Sequence, residues 1–190
     1  RLPVRRYLEA TNECVAPYST AKHARWHRQD YMVGALARFN NNFEQLHPAA
    51  QQVAARLGMA PPVHNPFAIT LAQLIECVHC LEDAIELCDG ILANGLDPTQ
   101  LQAEVTVRAG SGVGAVEAPR GMLFHHYEYD DEGKCIFANQ VIPTAQNQAS
   151  IEADMRAFVP LIVDESADRI EHLLQMLLRA YDPCISCATH

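Results

Sequence analysis

A run from Pro66 to about Asn94 most constrains how this chain can fold. Leu71, Leu74, Ile75, Val78, Leu81, Ile85 and Cys88 recur at intervals of three and four, which draws an apolar stripe along one long helix. Pro66 suits the first turn, where its missing N–H is not needed, and Gly95 suits a left-handed stop. Inside the run, Glu76-Cys77-Val78-His79-Cys80 allows two readings. Cys77 and Cys80 lie one turn apart and could share a metal-facing side. Cysteine is also among the most often buried residues, and no second ligand pair lies nearby in sequence, so core packing is the favoured reading.

The other elements are shorter. Arg1 to Thr20 shows weak periodicity and reads as mostly irregular. Ala49, Ala50, Val53 and Leu57 predict a helix over Pro48–Leu57, closed by Gly58. Gly110-Ser111-Gly112-Val113-Gly114 gives pliable backbone but lacks the following helix that a phosphate loop needs. Val113 to Tyr129 reads as one extended run, Asp130-Asp131-Glu132-Gly133 as a turn, and Cys135 to Ile142 as the returning strand of a hairpin. His125 and His126 then face opposite sides, so they read as separately bonded residues rather than as a pair on one ion. Asn147 is expected to cap a helix through Ile151, Met155 and Phe158. A last helix, from about Asp164 to Tyr181, buries Ile170, Leu173, Leu174, Leu177 and Tyr181. Pro183 cannot continue it. The expected class is α+β, mainly helical, with a small antiparallel hairpin.

At 190 residues the chain is long enough for one domain with a real core. A formal net charge of −9 argues against a nucleic-acid partner. No apolar run approaches the roughly 20 residues that span a bilayer, and the N-terminus shows no signal-peptide core. Seven cysteines at irregular spacing do not read as a disulfide framework and favour a reducing cytoplasm.

The last nine residues carry the chemistry: Asp182-Pro183-Cys184-Ile185-Ser186-Cys187-Ala188-Thr189-His190. Two thiols three positions apart can meet one metal ion. A C-x-x-C pair alone also suits a redox dithiol, half of a zinc site or two ordinary cysteines. The longer string D-P-C-x-x-C-x-x-H resembles the C-terminal signature of the nickel–iron hydrogenase large subunit. Val116-Glu117-Ala118-Pro119-Arg120-Gly121 resembles the same family's E-A-P-R-G motif. Tyr31 to Asn40 resembles its Y-x-V-G-P-L-A-R-x-N segment, with Ala35 in place of the proline. A structural loop packed on the metal domain is the favoured reading of that segment, and a partner-contact surface is the alternative.

The resemblance implies a hydrogenase large-subunit-like fold whose hairpin carries E-A-P-R-G. It implies reversible heterolytic cleavage of dihydrogen to protons and electrons at a Ni–Fe centre with carbonyl and cyanide ligands on iron. Cys184 would be a terminal nickel ligand and Cys187 would bridge nickel and iron. Arg120, Asp182 and Pro119 would form a canopy over the open site, with Pro143 and Thr144 beside the diatomic ligands and Val141 and Ile142 walling the iron. A thiolate that ligates nickel can also accept a proton, which makes Cys184, Arg120 and Asp182 the catalytic candidates. Glu117 would be structural or a proton relay. His190 and the backbone of Gln140 would hold magnesium or a similar ion. The implied partners are a small subunit carrying iron–sulfur clusters, diaphorase or deazaflavin-reducing subunits, and a maturation peptidase that cuts after the terminal histidine. Phe124-His125-His126-Tyr127 and the C-I-S-C-A-T-H ending resemble the soluble bidirectional group.

The family's second C-x-x-C, in an N-terminal R-x-C-G-x-C motif, does not occur here, nor do the upstream glutamate and the N-terminal magnesium acid. Residues 1–190 are therefore expected to be the C-terminal part of such a subunit, offering two of four cysteine ligands and inactive by themselves. The alternatives are an inactive fragment, a dihydrogen-sensing or assembly module without a complete metal site, and a simple zinc or redox C-x-x-C protein.

Overall fold

Apolar periodicity and proline placement set the helices. The computed structural model describes residues 2–27 and 29–189. Residues 2–20 are more ordered than their weak periodicity suggests. A 3₁₀ turn spans Val4–Glu9, and β1 (Glu13–Cys14) pairs antiparallel with β2 (His23–Ala24). Gly34, at φ +107°, opens α1 (Ala35–Asn42). Pro48 sits in the first turn of α2 (Pro48–Arg56), and Gly58 follows at φ +68°. A 3₁₀ turn at Pro66–Ala68 leads into α3 (Ile69–Asn94), with Gly95 at φ +73° ending it as the sequence predicts.

The run read as one extended segment folds back on itself. β3 (Gly110–Ala118) pairs antiparallel with β4 (Gly121–Tyr129), so Pro119-Arg120 is a two-residue hairpin turn. β5 (Cys135–Val141) returns beside β4 after the predicted turn, with Gly133 at φ +77°. The sheet order is β3-β4-β5. His125 and His126 do face opposite ways. His125 Nδ1 lies 2.9 Å from the Tyr127 hydroxyl, whereas His126 meets Tyr7 and Ser111 at 3.4 and 3.2 Å.

The helix expected from Asn147 starts earlier. Pro143 occupies the first turn of α4 (Pro143–Ile162), which leaves Asn147 buried inside it. Ser166 caps α5 (Ala167–Ala180), accepting from Arg169 N at 3.4 Å. The chain closes on the short α6 (Ile185–Ala188).

The main core joins α1, α2, the first turns of α3, and the inner faces of α4 and α5, around Leu36, Phe39, Ile75, Ile151 and Leu177. A second nucleus sets Tyr7 and Val141 against Phe124 under the sheet. Two expectations are corrected. On α3 only Ile69, Ala72 and Ile75 are buried, while Leu74, Leu81 and Ile85 are half exposed or more (50%, 66% and 56%). On α5, Leu177 and Tyr181 are buried, while Ile170, Leu173 and Leu174 are only partly covered.

Candidate metal centre

The last helix delivers the thiols by breaking. Tyr181 ends α5, and Asp182 turns left-handed at φ +48°, which a short polar side chain tolerates better than most. Pro183 bars any return to the helix. Cys184 then begins α6, and its sulfur is joined to that of Cys187 as a disulfide, with the Cα atoms 5.4 Å apart. The tail is held from two sides. Cys184 N donates to Thr144 Oγ1 at 3.2 Å, which ties it to the first turn of α4. Lys22 N donates to Ala188 O at 2.8 Å, and Ala188 packs against Ala21 and Ala145.

The Pro119-Arg120 turn reaches this tail. Arg120 Nε donates to the backbone carbonyl of Asp182 and lies 3.1 Å from its Oδ2. Both side chains are about two-fifths to half exposed (38% and 48%), so the ion pair stabilises the fold little; what it fixes is direction. The guanidinium is held two residues from Cys184, with its planar fork of donors. Two strings 62 residues apart in sequence are thereby brought into one site.

The turn itself rests on the Tyr31–Asn40 segment. A Cβ at Gly34 would stand 2.9 Å from Arg120 O, and a Cβ at Gly121 (φ +137°) would overlap the Val33 side chain. Only two glycines let these backbones approach this closely. Asn147 bridges the contact: its Oδ1 accepts from Val33 N at 2.9 Å and its Nδ2 donates to Val33 O at 3.3 Å and Arg120 O at 3.5 Å. Arg38 clamps the approach to the turn. It forks onto Glu76 at 2.6 and 2.7 Å and reaches Glu117 at 2.8 Å and the carbonyls of Ala118 and Pro119 at 2.9 Å each. The two bonds to Glu76, and then the one to Glu117, raise the Arg38 pKa above that of a free guanidinium against a partial penalty from burial. The segment is thus a packed scaffold, the favoured of its two readings.

Other expected residues fall as follows. Pro143 and Thr144 are buried at the head of α4, Thr144 at 2% exposure. Val141 is fully buried and Ile142 packs beside Ala188. Gln140 pairs with His125 in the sheet and donates its side-chain amide to the Tyr127 hydroxyl at 2.6 Å. His190 lies outside the described residues. Cys77 and Cys80 are exposed rather than packed in the core, because the described residues leave their side of α3 uncovered. They line an open groove of about 680 Å³ with Arg38, Glu117, Pro119 and Asp182. Among the described residues, no group of three or more His, Cys, Asp or Glu side chains is placed to hold a metal ion. Cys184 and Cys187 converge on one point beside an open groove, which suits two soft donors of a larger set, but not a complete set.

Sequence reasoning missed three supports. Asn147 reads as a cap because Asn is common there. Arg38 carries no separate signal beyond its string. Glu13, 5% exposed, accepts from Ile142 N at 2.7 Å and pairs with Lys22, a link across 129 residues that no local pattern reveals.

The family model for nickel-dependent hydrogenases matches residues 4–190. The chain belongs to the nickel-dependent hydrogenase family. It is 36% identical over 188 residues to the alpha chain of sulfhydrogenase 1 from Pyrococcus furiosus, covering 99% of this chain and 43% of that protein. It is 42% identical over 200 residues to a chain of the F420-non-reducing hydrogenase from Methanothermobacter marburgensis, covering 97% and 40%. The crystal structure of an NAD⁺-reducing [NiFe]-hydrogenase in the H2-reduced state superposes with a TM-score of 0.81 at 29% identity, over 97% of this chain and 42% of that one. The chain therefore spans less than half the length of these relatives.

Proposed function

We propose that this chain is the C-terminal part of a [NiFe] hydrogenase large subunit that takes part in reversible oxidation of dihydrogen to protons and electrons. The contact of Arg120 with Asp182, beside the Cys184–Cys187 pair, carries the reading. In their reduced form Cys184 and Cys187 would both hold the metal centre as thiolate ligands. The remaining two thiolates come from an N-terminal half, so the 190 residues alone are inactive. The Ni–Fe centre, with carbonyl and cyanide on iron, supplies heterolytic cleavage of dihydrogen when bound.

The chain's own groups hold and orient. Cys184 Sγ is the proton acceptor, since a thiolate keeps basic electron pairs. Arg120 presents fixed positive charge and N–H donors over the open face, and Asp182 fixes its fork. Pro119 and Pro143 stiffen the backbone on either side, and Thr144 offers a hydroxyl to a diatomic ligand. Glu117 acts through Arg38 on the turn. By the family resemblance, His190 and the Gln140 carbonyl would hold a magnesium-like ion.

The likeness to an NAD⁺-reducing [NiFe]-hydrogenase supports an NAD-linked type, and the complex proposed is soluble and cytoplasmic. In that arrangement a small subunit with iron–sulfur clusters takes the electrons, diaphorase-type subunits pass them on, and a maturation peptidase trims the large subunit. Among the described residues, no helix is long and apolar enough to cross a membrane. Arg120→Lys in the complete enzyme tests the reading. The expected result is at least a hundredfold loss of dihydrogen turnover with nickel and iron retained. Unchanged turnover would contradict it.

A further inference from the structure

The final turn treats its two sulfurs differently. α6 holds only four residues, and Cys184 stands before it as an N-cap whose side chain bonds no backbone N–H. Ser186 lies between the two cysteines, in the first turn of α6. A serine hydroxyl near a helix end usually turns onto nearby backbone groups. This one does not. Ser186 Oγ lies 3.6 Å from Cys184 Sγ, a separation suited to the larger sulfur atom. Among the described residues this is the only hydrogen bond that the Ser186 hydroxyl makes, and Cys187 Sγ receives none.

Chemistry fixes the direction of the bond. Cys184 Sγ is joined to Cys187 and carries no hydrogen, so the hydroxyl donates. A thiolate on a metal ion carries none either, so the same hydroxyl would donate in the reduced, metal-bound state. There the acceptor is negative, which strengthens the bond. The backbone around Ser186 is held for this. Cys187 N donates to Cys184 O at 3.1 Å and closes the turn about the serine. Thr189 Oγ1 donates to Ser186 O at 3.0 Å, and Thr144 Oγ1 holds Cys184 N at 3.2 Å. The Ser186 side chain itself is exposed, so the core does not depend on it.

A hydrogen bond to a ligating sulfur draws electron density away from it. The sulfur then donates less to the metal, the reduced state is favoured, and the reduction potential rises. We propose that Ser186 is a positioning residue that acts through Cys184. Its hydroxyl makes Cys184 the weaker donor of the two sulfurs and so raises the potential at which the metal centre accepts an electron. This rests on the reading of Cys184 and Cys187 as thiolate ligands, and it gives them unequal donor strength.

The test uses the complete hydrogenase carrying this segment, as wild type, Ser186→Ala and Ser186→Thr. Nickel and iron contents are measured first. The midpoint of the paramagnetic nickel signal is then found by redox titration at one pH, and the infrared carbonyl band is recorded. The expected result is equal metal content in all three proteins. In Ser186→Ala the nickel midpoint shifts to lower potential and the carbonyl band to lower wavenumber. Ser186→Thr, which keeps the hydroxyl, retains the wild-type values. An unchanged midpoint and band in Ser186→Ala, or a midpoint that moves to higher potential, would overturn the proposal. So would loss of nickel from Ser186→Ala, or a threonine variant that shifts as far as the alanine one, since both mark a merely structural role. All of these leave the hydrogenase reading standing, because the wild-type metals and bands remain. A wild type without nickel and iron would instead remove that reading, and the proposal with it.

Discussion

Replacing Arg38 with Met removes five donor contacts while keeping much of the aliphatic stem's volume. The partners are unequal. Glu76 keeps only 19% of its side-chain exposure, close to the 18% of Arg38, so its carboxylate is left in a poorly hydrated place. Breaking such a pair from one side costs about 3–5 kcal/mol when burial is complete. Residual water at Glu76 lowers this, and a loss of roughly 3 kcal/mol is expected. Glu117 is 46% exposed and contributes under about 1 kcal/mol. Urea unfolding followed by circular dichroism reads the effect. With a slope of about 1–3 kcal/mol per molar, the midpoint should fall by roughly 1–3 M. Glu76→Gln in the Arg38→Met background should restore roughly half of the loss, because a neutral amide is cheaper to bury than an unpaired carboxylate. Hydrogen exchange should also quicken at Ala118 and Gly121, since the clamp holds that turn. A loss below about 1 kcal/mol, or strictly additive single and double variants, would refute the argument that Arg38 holds the hairpin turn as the partner of a buried acid.

Other perturbations follow from the same contacts. Gly34→Ala forces a side chain into φ +107° and within 2.9 Å of Arg120 O, so a loss of about 2 kcal/mol or more is expected in thermal or urea unfolding. Asn147→Ala leaves Val33 N without its side-chain acceptor and should cost about 1–3 kcal/mol in the same assay. Tyr31 predicts a pH effect. Burial pushes its hydroxyl up to about 12, against the usual tyrosine value of about 10. The folded state then holds the proton that the unfolded chain releases. Tyr31 stabilises fully below about pH 10 and loses that contribution as pH rises through about 12. Tyr31→Phe also leaves Gln146 Oε1 without its 2.9 Å donor. The stability gap between wild type and Tyr31→Phe should therefore shrink from pH 10 to 12, and a constant gap would contradict the shift.

Local chemistry makes much of this fold readable. Pro48, Pro66 and Gly95 mark their helix ends because a fixed φ or a missing Cβ acts within one turn. Asp130–Gly133 is legible as a turn for the same reason, and Pro183 as the stop that presents Cys184. The misreadings come from distant partners. Pro119-Arg120 lies in a run with strand character on both sides, and only the pairing of Ala118 with Gly121 shows that it turns. Asn147 is a good cap by type, yet Pro143 starts the helix earlier and frees Asn147 to bind Val33 and Arg120. The stripe on α3 is legible as apolar, but which side faces the core depends on α1 and α2. The site shows the same division. The two strings name the residues, whereas Arg38, Asn147 and Glu13, which position them, act across 27 to 129 residues of sequence.

The most direct measurement is nickel and iron content, with infrared spectra of the carbonyl and cyanide region, for the complete large subunit carrying this segment and for its Cys184→Ser and Cys187→Ser variants. The account predicts about one nickel and one iron per wild-type protein with iron-bound carbonyl and cyanide bands. It predicts loss of nickel and of those bands in each variant while the fold persists. Full nickel and iron with unchanged bands after either substitution would contradict it.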